Sequence, residues 1–269
     1  MPTGTNHPLR RALSRFVALG LLVALIGCQG GTQTEDVEAL VSSGRAYLEA
    51  GNYGEAISVL ETAAEQASDN SDVHFLLGQA YNRNGELSKA ADEFRRVLEI
   101  EPQSAAAHHN LGVTYYQLQD LQSAINEFEK ALDIDPDDPD THYQLGAAYL
   151  TLALSGTEPT SLADPELLEQ ATEEFEAALE LRENMPEALI GLGNVYLQEG
   201  DYDAAIEALE QAIASVPDSR EAHYALAGAL AQSGNVDRAC ETYSKFVSLD
   251  PPTNWRAQAE QAMATLGCE

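Results

Sequence analysis

Small and bulky residues recur at fixed offsets along most of this chain. A small residue stands at the same slot of six successive segments: Gly44, Gly78, Gly112, Gly146, Gly193 and Ala227. A large side chain follows three positions later: Tyr47, Tyr81, Tyr115, Tyr149, Tyr196 and Leu230. Alanine and another bulky residue then complete each segment: Ala56 and Leu60, Ala90 and Phe94, Ala124 and Phe128, Ala171 and Phe175, Ala205 and Leu209, Ala239 and Tyr243. Four of the five intervals between the small residues are 34 residues, which predicts a repeated structural unit.

Turn-forming residues divide each unit into two helices. Glycine followed by a polar residue marks the turn inside four units: Gly51-Asn52, Gly85-Glu86, Gly200-Asp201 and Gly234-Asn235. Proline, which cannot continue a helix, closes four units: Pro102, Pro136, Pro217 and Pro251. One such hairpin cannot bury its own apolar face, so neighbouring units must stack into a shared core. The pattern therefore predicts an all-α chain in which helices approach closely at the glycine slot.

The repeat resembles the tetratricopeptide repeat, a 34-residue helix–turn–helix, from about Val37 to Thr253. The resemblance implies a right-handed α-solenoid of six hairpins over residues 37–253. Residues 254–269 place apolar side chains at helical spacing and are predicted to form a C-terminal capping helix. The chain departs from the family at the early tryptophan slot, which holds Leu40, His74, His108, His142, Leu189 and His223.

The fourth unit carries 13 extra residues, at about residues 155–167, between its two helices. Asp164 is expected to cap the second helix, and Pro165 to be its first helical residue. Such an insertion maps to one face of a solenoid. It either extends a binding surface or is tolerated length without a function.

Residues 1–27 have the pattern of a secretory signal peptide. Basic residues precede an apolar run from Phe16 to Ile26. That run is too short to cross a bilayer comfortably, which takes roughly 20 residues. We therefore expect the chain to be exported.

The end of this segment resembles the bacterial lipobox. Its sequence is Leu25-Ile26-Gly27-Cys28. The resemblance implies that residues 1–27 are removed and that Cys28 carries the lipid anchor, with residues 28–36 as a flexible tether. Gln29 rather than aspartate after the cysteine favours the outer membrane, facing the periplasm, in a cell that has one. The alternative is an ordinary signal peptide or an uncleaved anchor.

The chain is strongly acidic, with 14 basic and 44 acidic residues and a formal net charge of −30. Nucleic acids are excluded as partners, because binding them requires lysine and arginine on the phosphates. Basic proteins or peptides remain compatible partners. The acidic surface is also explained by solubility alone.

No residue pattern predicts catalysis, a cofactor or a metal. The histidines at the tryptophan slot are separated by stacked helices, whereas zinc needs each ligand nitrogen about 2 Å away. The acidic segment from Asp133 to Asp138 lacks the glycine of a calcium loop and is followed by Gln144 at the twelfth position. We therefore predict a protein that is not an enzyme.

Cys240 and Cys268 fall on neighbouring ends of the last hairpin and the capping helix. An exported protein meets an oxidising compartment, where these cysteines are expected either to form a disulfide or to remain as two thiols.

In the tetratricopeptide family the first helices of the units line a concave groove that takes a peptide. Projection of the repeat predicts inward side chains at Arg45, Phe75, Gln79, Asn82, Arg83, His109, Asn110, Tyr116, Tyr143, Gln144, Asn194, Gln198 and Tyr224. Aromatic rings and amides suit peptide recognition. For each of these residues, packing against the next helix is the competing interpretation.

The leading functional hypothesis is a membrane-tethered interaction scaffold or assembly factor of the bacterial cell envelope. The architecture also resembles the six-repeat pilot lipoproteins that help assemble pilus secretins, although no residue makes that match specific. Two other classes stay open: a regulatory subunit of an envelope enzyme such as a cell-wall hydrolase, and a self-associating structural protein.

Overall fold

The computed structural model describes residues 36–155 and 163–268, which form thirteen helices and no strand. The first helices of the six hairpins are α1 (Val37–Glu49), α3 (Ser71–Arg83), α5 (Ala105–Gln117), α7 (Pro139–Leu154), α9 (Pro186–Glu199) and α11 (Arg220–Gln232). The second helices are α2 (Tyr53–Gln66), α4 (Leu87–Ile100), α6 (Leu121–Ile134), α8 (Pro165–Leu181), α10 (Tyr202–Ser215) and α12 (Val236–Ser248). Helix α13 (Thr253–Leu266) follows and packs on α12. The predicted all-α solenoid with a closing helix is confirmed.

Polar residues begin most of the helices. The side chains of Asn70, Ser104 and Ser219 each accept a hydrogen bond from a backbone N–H in the first turn of the helix that follows. These N–H groups have no partner inside the helix, so the cap satisfies them. Asp164 caps α8 in this way and Pro165 is its first residue, as predicted. The insertion itself lies mostly outside the described residues.

The glycine slot is a point of close contact inside the first five hairpins. A Cβ atom built at Gly112 would lie 2.7 Å from the Phe128 ring, and one at Gly44 would lie 2.6 Å from Leu60. Both bulky side chains are fully buried. Glycine is therefore required because the partner side chain occupies the space of a Cβ atom, and the same contact recurs at Gly78, Gly146 and Gly193.

In five of the six hairpins a left-handed residue lies at the turn between the two helices. Gly51, Gly85, Gly200 and Gly234 have φ between 74° and 83°, a conformation that costs glycine little. The third unit has Gln119 at this position, with φ of 63°. The fold therefore imposes the left-handed conformation even where the sequence offers no glycine.

Three histidines at the tryptophan slot make the same pair of hydrogen bonds. Nε2 of His74 lies 2.9 Å from the carbonyl oxygen of Ser68, and Nδ1 lies 2.6 Å from Glu93 Oε2 on the second helix of the unit. His108 and His142 repeat this arrangement with Glu127 and Glu174, and their Nε2 atoms face the carbonyls of Pro102 and Pro136. Each histidine therefore links the turn before its unit to the second helix, which is a packing role.

Candidate functional site

The first helices lie on the inner side of the solenoid. First helices of neighbouring units contact each other at every junction, from α1 with α3 to α9 with α11. No comparable contact joins second helices among the described residues. Closer spacing on one side curves the stack, so the first helices line its concave face. The groove residues predicted from the sequence belong to these helices.

A first cavity of about 330 Å³ opens between the first three units. Its walls include four predicted groove residues together with Leu48, Glu49 and Tyr53: Gln79, Asn82, Arg83 and Asn110. The amides are partly engaged, because Asn82 Nδ2 donates to Thr114 Oγ1 and Gln117 Oε1, and Asn110 Nδ2 donates to the carbonyl of Ala106. The amide groups of Asn82 and Asn110 are therefore held in position by these bonds, and their Oδ1 atoms can still accept hydrogen bonds from a peptide backbone.

Arg45 and Arg83 differ from most other basic residues of the solenoid. Within residues 36–155 and 163–268, neither forms an ion pair. Most of the other cations do: Lys89, Arg95, Arg96, Lys130, Arg182, Arg238, Lys245 and Arg256. The two unpaired guanidinium groups stand on first helices, and Arg83 lines the first cavity.

Four of the predicted groove rings pack on aromatic rings of the core. Phe75, His109 and Tyr143 pack on Phe94, Phe128 and Phe175 with ring centroids 5.8, 5.9 and 6.1 Å apart. Tyr224 contacts Tyr243, Phe246 and Trp255 at the C-terminal end. Each of the four rings contacts a buried aromatic ring, so packing explains much of their presence.

Other predicted residues bond the next unit. His109 Nδ1 lies 2.6 Å from Thr141 Oγ1, and the Tyr116 hydroxyl lies 2.9 Å from Thr151 Oγ1. Burial lowers the pKa of His109, and the negative charges of Asp138 and Asp140 counteract part of this lowering.

Besides Arg45, Gln79 and Arg83, three more predicted residues remain accessible for a ligand without such engagement. Gln144 and Asn194 are half-buried, and Gln198 is exposed. None of the three forms a side-chain hydrogen bond with the described part of the chain.

A second cavity of about 490 Å³ lies at the beginning of α9 and α11. Its walls are Tyr143, Pro186, Glu187, Ile190, Val216, Asp218, Ser219, Arg220 and Glu221. Sequence reasoning predicted only Tyr143 among these. Burial, followed by the charge of Glu187, raises the pKa of the Tyr143 hydroxyl, which stays protonated at neutral pH. The cavity offers apolar surface edged by carboxylates.

Family comparisons agree with this geometry. A model described as "Tetratricopeptide repeat" matches residues 42–105, 166–209 and 190–253, which is more than half of the chain. A second, described as "TPR repeat", matches residues 114–152. The chain belongs to the tetratricopeptide repeat family. No protein of curated function matches it in sequence.

Solved structures share the tetratricopeptide repeat fold of this chain. PilF of Pseudomonas aeruginosa is 21% identical, with a TM-score of 0.68 over 83% of this chain and 97% of its own. A tetratricopeptide repeat protein of Parabacteroides merdae is 20% identical, with a TM-score of 0.69 over 87% of this chain and 88% of its own. YrrB, described as a TPR protein with an unusual peptide-binding site, is 23% identical, with a TM-score of 0.57 over 75% of this chain and 97% of its own. At these identities the likeness shows the fold alone.

Cys240 and Cys268 form a disulfide that joins the last tetratricopeptide hairpin to the end of the closing helix, with Cα atoms 5.5 Å apart. Cys28 and the tether of residues 28–36, apart from Asp36, lie outside the described residues. In the part of the chain that the structure describes, no helix is long and apolar enough to cross a membrane.

Proposed function

We propose that this protein is a membrane-tethered scaffold of the bacterial cell envelope that binds a partner protein in its concave groove and catalyses no reaction. One observation carries the binding half of the proposal. Residues from three successive units converge on each cavity, and the first cavity holds an arginine without an ion-pair partner among the described residues. A folding core alone does not require a cavity lined by amides and by an arginine without an ion-pair partner among the described residues.

Photo-crosslinking in cells tests the groove. A photoreactive amino acid replaces Gln79 in the first cavity, and the matched control replaces Gln122, an exposed glutamine on the second helix α6. A scaffold predicts one stoichiometric adduct from position 79 and none from position 122. Equal labelling at both positions would reject the groove as the binding surface. The identity of the adduct separates an assembly partner from an envelope enzyme under regulation, and a homodimer would identify self-association.

The tether is supported by the sequence Leu25-Ile26-Gly27-Cys28. Anchoring needs more than one acyl chain, which a multiply acylated cysteine would provide. Metabolic labelling with an alkyne fatty acid is expected to mark the wild type and to leave a Cys28→Ser variant unlabelled. Labelling that persists in the variant would reject Cys28 as the lipid carrier without affecting the groove.

A further inference from the structure

The second cavity lies beside the first turn of α9, where the fifth unit differs from the fourth in one charged residue. In the fourth unit, Arg182 at the end of α8 donates two hydrogen bonds, of 2.7 and 3.0 Å, to the carboxylate of Asp140 in the first turn of α7. The corresponding residues of the fifth unit are Val216 and Glu187. Both line the cavity. Both units have the carboxylate, but the slot that holds its arginine partner in the fourth unit holds an apolar side chain in the fifth. The fourth is the only one of the six units with a cation at this slot.

Val216 is unusual for its position. The same slot holds Ala67, Glu101, Asp135, Arg182 and Asp250 in the other units. Val216 is nevertheless 42% exposed, so it contributes little to the core. Ile190, Pro186 and Tyr143 surround it as half-buried walls. The result is an accessible apolar surface that stacking of the repeats does not explain.

The carboxylates at the edge of the cavity are incompletely neutralised. Asp218 is paired with Lys245 at 3.0 Å, and Arg220 donates to the backbone carbonyl of Asp250 at 3.4 Å. Glu187 and Glu221 form no ion pair with any residue of the described ranges. The helix dipole stabilises acidic residues in the first turn of a helix, which accounts for Glu187 and Glu221. It does not account for the exposed Val216.

We propose that this cavity binds a segment of the partner protein in which an arginine or lysine adjoins an apolar residue. The basic side chain meets Glu187 and Glu221, as Arg182 meets Asp140 one unit earlier, and the apolar neighbour covers Val216 and Ile190. A chain of net charge −30 attracts such a segment, and the excess of carboxylates selects against acidic ones. This inference rests on the proposed function and specifies its partner chemistry.

Peptide selection followed by a matched pair of variants tests the proposal. A random dodecapeptide library is displayed on phage and selected on the full-length chain, and the recovered peptides are synthesised with a fluorescent label. Binding is then measured by fluorescence anisotropy on the wild type, on Val216→Arg and on Val236→Arg. Val216→Arg copies the arginine of the fourth unit and is expected to occupy the site from within. Val236, at 38% exposed, lies outside the cavity and controls for added positive charge.

The expected result is enrichment of peptides with a basic residue beside an apolar one. Affinity should fall about tenfold or more in Val216→Arg, as for a central contact, and change by less than about twofold in Val236→Arg. A glutamine in place of the peptide's basic residue should cause a similar loss on the wild type. Circular dichroism of both variants verifies that they fold.

Two outcomes overturn the inference. Peptides that bind with no basic residue, or that bind Val216→Arg as well as wild type, would refute the cavity assignment and leave the groove scaffold standing. Failure to select any peptide would count against both the inference and the proposed peptide-binding function.

Discussion

The His74–Glu93 pair offers a stringent test of how the repeat is stabilised. The carbonyl of Ser68 can only accept, so Nε2 of His74 carries a proton and donates to it. Nδ1 lies 2.6 Å from Oε2 of Glu93, within hydrogen-bond distance. Their side chains are 10% and 22% exposed, so each is largely shielded from water. In the first unit the corresponding residues are Leu40 and Val59, which belong to one apolar cluster.

The first unit thus shows that an apolar pair, Leu40 and Val59, fits the positions of His74 and Glu93. We predict that Glu93→Val costs about 2 kcal/mol, because it leaves a buried imidazole nitrogen without its charged partner. His74→Leu should cost about 1–2 kcal/mol, since Glu93 keeps some access to water and the Ser68 carbonyl keeps one of its two donors, Arg96. The double variant reproduces the Leu40–Val59 pair and should fall within about 1 kcal/mol of the wild type.

Urea unfolding followed by far-UV circular dichroism measures the three free energies, with tyrosine fluorescence as a second probe of cooperativity. Compensation in the double variant, with a coupling of about 2 kcal/mol, would support a pair that acts as one unit. Additive losses would refute this reasoning and would mean that the histidine and the glutamate stabilise the hairpin independently.

Three further predictions concern single sites. Gly112→Ala should destabilise the chain by about 1–3 kcal/mol in urea unfolding, because its Cβ atom would overlap the Phe128 ring, and an unchanged midpoint would contradict the close contact. Gln119→Gly should raise the same free energy by up to about 1 kcal/mol by relieving a left-handed residue, and a loss of stability would count against that conformation. The Cys240–Cys268 disulfide closes a separation of 28 residues, so in the chain-entropy view Cys240→Ser should lower the free energy of unfolding by roughly 3–4 kcal/mol. Alkylation of two thiols in the wild type without reductant would contradict this prediction.

Much of the fold follows from a short-range pattern repeated along the chain. Glycine opposite a bulky residue, a turn pair and a terminal proline each have a local physical reason, and each recurs in four or five of the six units. The cap at Asp164 was equally predictable, because an N-cap is decided within one helical turn. For the groove, the sequence predicted which helices carry the candidate residues, but not which of their side chains remain accessible.

The sequence by itself therefore determined the hairpins, their stacking period and the acidic surface, since these depend on residues within one unit or on composition. Only the tertiary structure decided which groove side chains the next unit engages, as with Asn82 and Thr114, which are 32 residues apart. It alone brought Tyr143, Ile190 and Val216 from successive units around one cavity. The reason is physical: contacts across a unit boundary depend on the particular pair of side chains that meet there, and a period shared by all units carries no information about that pair.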